Sequence, residues 1–479
     1  MTDEAIEALD LAGPGRSRST TTLAPLGLAE LPAPPASWRR IIGPGIVASG
    51  VGLGSGEFIL FPYIATQVGL AFVWAAMIGI ALQYFLNMEI ERYTLATGET
   101  VLTGFSRLGR HWGLAFVLMT ILVVLWPGWA TSSATMITYL VGGDVRWIAV
   151  GILVAVGLIL TLSPVVYRTL ERGASIKAAA ILLFILIAAL FAIPPGAWAE
   201  APALVVRPAW PAAELGWALL LGAIAFAGAG GGANLCQSSW IRDKGFGMGA
   251  HAPRIVSPLL GVPVAAPGTG WRFLPDAEAM RRWRAWWRFA NIEQLSTFVA
   301  ITLATILFTS FLAFALLGGR EDLPRDISFL ALQGEILSDR VGAWFGRFFW
   351  IVGAFALFMT AVGAVDVTGR LAADVIHTSY KTGRSESAVY AVIVWIVVAL
   401  GILLVGAGMS QPLLLLIISG SVSAFMMFLY SGLLIRLNRR LLDPPLRPGR
   451  GRIAALLASM IFFGLISGAI LLEFAGALD

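Results

Sequence analysis

Glu57 follows three glycines spaced two apart, in Gly52-Leu53-Gly54-Ser55-Gly56-Glu57, inside an otherwise apolar stretch. A second apolar stretch carries Gly228-Ala229-Gly230-Gly231-Gly232-Ala233-Asn234, followed by Gln237, Ser238 and Ser239. One carboxylate among neutral oxygens is a donor set for a hard cation such as Mg²⁺, Mn²⁺ or Na⁺. The candidate cation-binding group is Glu57, Gly54, Ser55, Gly231, Asn234, Gln237 and Ser238, with Glu57 and Asn234 as metal ligands. Backbone carbonyls freed around 52–54 and 228–231 would add further oxygens. Glu57 is the only carboxylate of the first stretch, and a charge at bilayer mid-depth costs at least about 2.5–3.5 kcal/mol without a partner or water. It could coordinate a cation, carry a coupling proton, or cap the half-helix that follows it.

The elements that hold these residues are helices in a membrane. The chain is 58% hydrophobic and 13% charged, where a soluble globular protein is nearer a quarter charged. Glycine costs roughly 1 kcal/mol in a helix interior, and an unpaired peptide group in hydrocarbon costs several more. Unwound backbone at that depth is tolerated only inside protein or along a water-filled cavity, and paired breaks in two halves of a chain point to a transport site. The single cysteine, Cys236, excludes an internal disulfide and suits packing more than metal. His111, His251 and His377 fall in segments read as loops, so no zinc site is expected.

Residues 1–36 are rich in Ser, Thr, Pro and Ala and read as a disordered cytoplasmic tail. A single transmembrane domain, 37–476, follows. Eleven apolar segments are long enough to cross a bilayer: 41–66, 70–97, 113–140, 146–163, 173–195, 214–240, 289–317, 342–376, 388–406, 412–436 and 452–474. With the amino terminus inside, 27 of the 33 basic residues lie on the cytoplasmic side, which places the carboxyl terminus outside. The protein is thus expected in the inner (plasma) membrane, and its formal charge of +5 calls for anionic lipid and not nucleic acid. The longest loop, 241–288, ends in an alternating Arg/Trp run from Arg281 to Arg288 that suits a helix lying at the interface.

Among the other charges inside the predicted helices, Glu89, Glu91 and Asp366 stand out. Glu91 precedes Arg92, which suggests a snorkelled pair. Glu89 lies deeper and could serve an inner gate or proton path. Asp366 stands four residues before Arg370, the spacing of a helix ion pair. Ser419, Gly420, Ser421 and Ser423 suit close packing as much as substrate contact.

The two glycine breaks are about 177 residues apart with four segments between them, so helices 1–5 (41–195) and 6–10 (214–436) are equivalent halves and helix 11 (452–474) is added. Ile42-Gly43-Pro44-Gly45 precedes Gly54-Ser55-Gly56-Glu57-Phe58, and Thr94 to Glu99, Leu170-Glu171-Arg172, Arg207-Pro208, Asn234-Leu235 and Thr368 to Ala372 follow in order. In these motifs and their spacing the sequence resembles the Nramp divalent-metal transporters, the first two matching that family's first helix. The resemblance implies an all-α LeuT-type fold, a 5+5 inverted repeat with broken helices 1 and 6, and ion-coupled uptake of a divalent metal.

The metal-binding positions depart from that pattern. Gly54 matches the family's aspartate, Glu57 its asparagine and Gly231 its methionine. Ala233 and Ser238 match histidines, and Trp126 and Trp129 stand where acidic residues of the proton route align. The expectation is a secondary active, alternating-access transporter of a cation, with H⁺ or Na⁺ as coupling ion and no resident cofactor. An organic solute such as an amino acid, or a non-transporting receptor or scaffold, stays open beside it. No enzyme motif survives the topology, and no obligate protein partner is evident.

Overall fold

The computed structural model describes residues 23–35, 43–257, 269–320, 323–380, 385–409 and 412–475. Eleven helical spans follow one another, and strand structure among the described residues is confined to two short segments. Span 1 is Pro44–Gly52 plus Ser55–Leu60 and Phe61–Val68; span 2 is Trp74–Thr97. Span 3 runs Trp112–Val124 and Gly128–Val141, span 4 Val145–Leu162 and span 5 Val166–Phe191. Span 6 is Trp217–Ala225 plus Gly231–Lys244, span 7 runs from Ala277–Glu293 through Gln294–Val299 to Ala300–Leu317, and span 8 is Ala343–Tyr380. Spans 9, 10 and 11 are Glu386–Gly406, Pro412–Leu441 and Arg450–Phe474.

Length and apolarity alone identify eight of these spans and the bent pair of span 1. Span 2 escapes that test because Gln83, Asn87, Glu89, Glu91 and Arg92 interrupt its apolar face, and span 6 because its halves are short. Burial sorts the spans into layers. Span 8 has 72% of its apolar window inside the protein, against 33% for spans 5 and 11. Leu186 and Leu190 of span 5 and Leu465 and Leu471 of span 11 face outward, as lipid contact requires.

Several boundaries differ from the sequence reading. The Arg/Trp run is the first part of one 41-residue helix, Ala277–Leu317, and so belongs to span 7. Asp276 starts it by accepting the Ala279 N–H at 2.8 Å. Span 3 was expected as one helix but is interrupted at Leu125–Pro127, where proline supplies no N–H to the ladder. His377 lies in the last turn of span 8, not in a loop.

The expected disordered tail is ordered over residues 23–35. Gly27–Leu28 (β1) pairs in parallel with Trp271–Arg272 (β2), and Leu31 is buried. The Trp286 Nε1–H donates to Pro32 O at 2.7 Å, Arg282 to Leu31 O at 2.9 Å and Arg107 to Ala24 O at 2.9 Å. Through these bonds distant side chains satisfy carbonyls of the segment's backbone. Residues 1–22, 36–42 and 258–268 lie outside the described residues.

Candidate functional site

Both predicted breaks are present, and they meet. Span 1 bends by 41° between Gly52 and Ser55. Span 6 unwinds from Phe226 to Gly230, with φ of +128° at Gly228 and +71° at Gly230, a region that glycine alone enters freely. A side chain at Gly52 would put its Cβ 2.3 Å from the Gly228 carbonyl oxygen, so the two breaks pack backbone to backbone. At Gly54 a Cβ would stand 2.4 Å from Thr360 Oγ1 of span 8. Glycine here is a matter of contact as well as of chain flexibility.

Glu57 is fully buried beside this junction. Its Oε2 accepts the Gly54 N–H at 3.1 Å, which is the capping role foreseen for it. Its Oε1 accepts no hydrogen bond from any described residue. Across the break stands Lys177 of span 5, also fully buried, whose Nζ donates to Gly50 O and to Thr360 Oγ1, both at 2.8 Å. Lys177 and Glu57 attract one another electrostatically. A buried charge is tolerated when a countercharge and acceptors replace its hydration, and each of these two helps to supply that for the other.

Beside the breaks is a cavity of about 30 Å³, walled by Gly52, Ser55, Gly230 and Gly232, by the hydroxyl-bearing Thr120, Thr360 and Ser423, and by apolar residues including Trp129 and Phe226. That volume admits a bare ion or two or three waters, since a single water needs about 10–15 Å³. Glu57 is not in the wall; Ser55, two residues earlier, is.

The remaining predicted residues do not converge on the cavity. Asn234 Nδ2 donates to Asn87 Oδ1 at 2.6 Å, so its side chain points to span 2. Gln237 Nε2 reaches Glu91 Oε2 at 3.4 Å, again toward span 2. The Ser238 hydroxyl is spent on Leu235 O at 2.6 Å. Gly231, with φ of +42°, packs against Ser423, where a Cβ would approach to 2.9 Å. Glu89 is bound by Arg92 at 2.7 Å and by Asn438 at 3.1 Å, with Arg452 at 3.5 Å. The Arg92 partner is thus Glu89 and not Glu91, because the three-residue spacing puts those two on one helix face.

Carbonyls flanking the breaks are taken by protein. Gln83 of span 2 donates to Ala225 O at 3.4 Å and Ala227 O at 3.1 Å, and accepts the Gly230 N–H at 3.0 Å. This one amide replaces three of the bonds that the broken helix loses. Thr309 donates to Glu57 O at 2.5 Å. Gln83, Lys177 and Glu293 were the residues the sequence reading passed over. Each had a signal: a long polar or charged side chain inside a predicted span.

Asp366 behaves as its spacing indicates. Arg370 Nε donates to both of its oxygens at 2.7 and 2.9 Å, and Arg370 Nη1 reaches Asp243 of span 6 at 2.5 Å. Tyr390 and Trp240 donate to Asp366 as well. A neighbouring ion pair joins Arg242 to Glu386 at 2.6 Å, and Thr100 donates to Asp374. These networks lock span 6 to spans 8 and 9 at the arginine-rich end of the bundle. Cys236 is fully buried, in keeping with packing.

No known family profile matches the chain, and no curated protein sequence matches it. Solved structures do. A histidine-to-alanine variant of the Eremococcus coleocola manganese transporter superposes with a TM-score of 0.64 at 15% identity, covering 97% of this chain and 93% of that one. Mhp1, a nucleobase-cation-symport-1 family transporter, gives 0.54 at 12% identity over 93% of this chain and 94% of that one. MhsT, solved with L-phenylalanine, gives 0.51 at 17% identity over 92% and 99%. The chain is similar to all three along nearly its whole length, and its fold is that of an α-helical, multi-pass membrane protein of the LeuT type.

Proposed function

We propose that this protein is a secondary, alternating-access transporter of a cation, a divalent metal ion in the first instance, and a divergent relative of the Nramp transporters. The observation that carries the reading is the Glu57 carboxylate, fully buried where two broken helices meet, with Oε1 unclaimed by any described donor. A cation entering the cavity would meet the hydroxyls of Ser55, Thr120, Thr360 and Ser423, with the Glu57 carboxylate buried at the same junction of the breaks. The 30 Å³ cavity suits such a cargo better than an amino acid. Among the described residues no thioether or thiol lines it, so the expected preference is for Mg²⁺ or Mn²⁺ over softer metals.

We assign proton coupling to Lys177. Its ammonium already occupies acceptors at Gly50 O and Thr360 Oγ1, as a tethered cation would. A metal ion arriving at Glu57 is repelled by that charge, and loss of a proton from Lys177 removes the repulsion. The arginine-rich end of the bundle is the cytoplasmic face of the plasma membrane in this reading.

Titration calorimetry of the purified protein with Mn²⁺ tests it. Wild type is expected to bind, Glu57→Gln to lose central binding, and Lys177→Arg to bind weakly at every pH, because a guanidinium keeps its charge. Heat from an amino acid with none from any cation would instead favour an organic cargo.

A further inference from the structure

A second set of buried oxygens lies at the amino-terminal end of span 1, apart from the central cavity. Glu293 of span 7 is fully buried, and its Oε1 accepts the Gly45 N–H at 2.8 Å and the Thr297 hydroxyl at 3.1 Å. Its Oε2 accepts from Gln294 Nε2 at 3.3 Å. The carboxylate lies close against the start of span 1: a Cβ on Gly45 would stand 2.3 Å from Thr297 Oγ1 and 2.8 Å from Glu293 Oε2. Glu91 of span 2, equally buried, lies close enough to Glu293 for the two carboxylates to repel one another.

No described cation neutralises Glu91. Arg92 turns to Glu89, and Lys244, which acts on Glu293 electrostatically, forms its ion pair with Glu171 at 2.6 Å. Among the described residues the only hydrogen bond to Glu91 comes from Gln237 Nε2 at 3.4 Å. Glu91 Oε1, Gln237 Oε1 and Gln294 Oε1 are all buried without a donor among the described residues. Turning the Gln237 amide over would set its oxygen against the Glu91 carboxylate, so an acceptor stays unfilled in either orientation. Two carboxylates and two amide carbonyls with unfilled lone pairs are what a hard divalent cation coordinates.

We propose that Glu91, Glu293, Gln237 and Gln294 form a second binding site for a hard divalent cation, between spans 2, 6 and 7 on the side of the breaks where span 1 begins. Glu293 also caps span 1, so cation binding here bears directly on the helix that carries the first break. The site is independent of Glu57, and the closing experiment separates the two.

The measurement is the stoichiometry of Mn²⁺ bound to the purified full-length protein, read from loss of the free-ion electron paramagnetic resonance signal. Wild type is expected to bind two equivalents, Glu57→Gln one, Glu91→Gln one, and the double variant none. Two equivalents retained by Glu91→Gln would overturn this site, as would a single wild-type equivalent that Glu57→Gln removes. Two equivalents retained by Glu57→Gln with one lost in Glu91→Gln would leave this site standing and the central reading refuted. If Glu91→Gln is not monodisperse, Gln237→Leu replaces it, with affinity at one site weakened by at least about tenfold; unchanged affinity overturns the proposal.

Discussion

At the scale of single residues, the site is built on buried groups whose partners are few and specific. Gln83 is the plainest case, since one amide serves Ala225 O, Ala227 O and Gly230 N. Gln83→Leu leaves buried backbone groups without partners, each costing about 1–3 kcal/mol, and is expected to lower the thermal midpoint measured by tryptophan fluorescence in detergent. An unchanged midpoint would show that the break does not depend on the amide. Lys177 makes the second case. Binding of Mn²⁺ in wild type is expected to tighten as pH rises, by up to about tenfold per unit where one proton leaves per ion bound. Lys177→Arg is expected to abolish that slope, and a slope that persists would move proton coupling elsewhere.

Glu57 and the glycines were legible in the sequence because a carboxylate and a run of glycines are costly in an apolar segment. The directions of Asn234, Gln237 and Ser238 were not, since turning by a single residue along a helix changes the partner from span 1 to span 2. Glu91 was misassigned to Arg92 because adjacency in sequence places side chains on different faces of a helix, whereas Glu89 sits a turn away from Arg92.

At the scale of elements, the breaks are held by their mutual fit. Gly52→Ala would drive a Cβ against the Gly228 carbonyl at 2.3 Å, a backbone atom with no rotamer to yield. This substitution is expected to abolish transport in vesicles while the protein still inserts and purifies, and near-normal transport would show that the helices do not stay in contact through the cycle. Arg370→Gln addresses the ion-pair network instead. It strips both Asp366 and Asp243 of their buried countercharge, a loss of about 3–5 kcal/mol, and is expected to cut the yield of folded protein. Element positions followed from apolar length and glycine, and most agreed with the structure to within a few residues. The Arg/Trp run was read as a helix at the membrane interface because indoles and guanidinium groups suit headgroup depth, and the chain stays helical from it through a π-helical turn at Gln294–Val299 into Ala300–Leu317.

For the whole molecule, two halves of five spans and an added eleventh were readable from the spacing of the glycine breaks, and likeness to LeuT-type structures over more than nine-tenths of the chain agrees. What the sequence left open was the way residues 23–35 close over the arginine-rich end, because those contacts are mostly backbone carbonyls taken by distant side chains. The account's central claim is that the junction of the two breaks holds a cation at Glu57. Its most direct test is Mn²⁺ uptake into proteoliposomes by wild type and Glu57→Gln, with orientation and incorporation matched. The account predicts uptake by wild type and none above empty vesicles for the variant. Equal uptake by both proteins would contradict it.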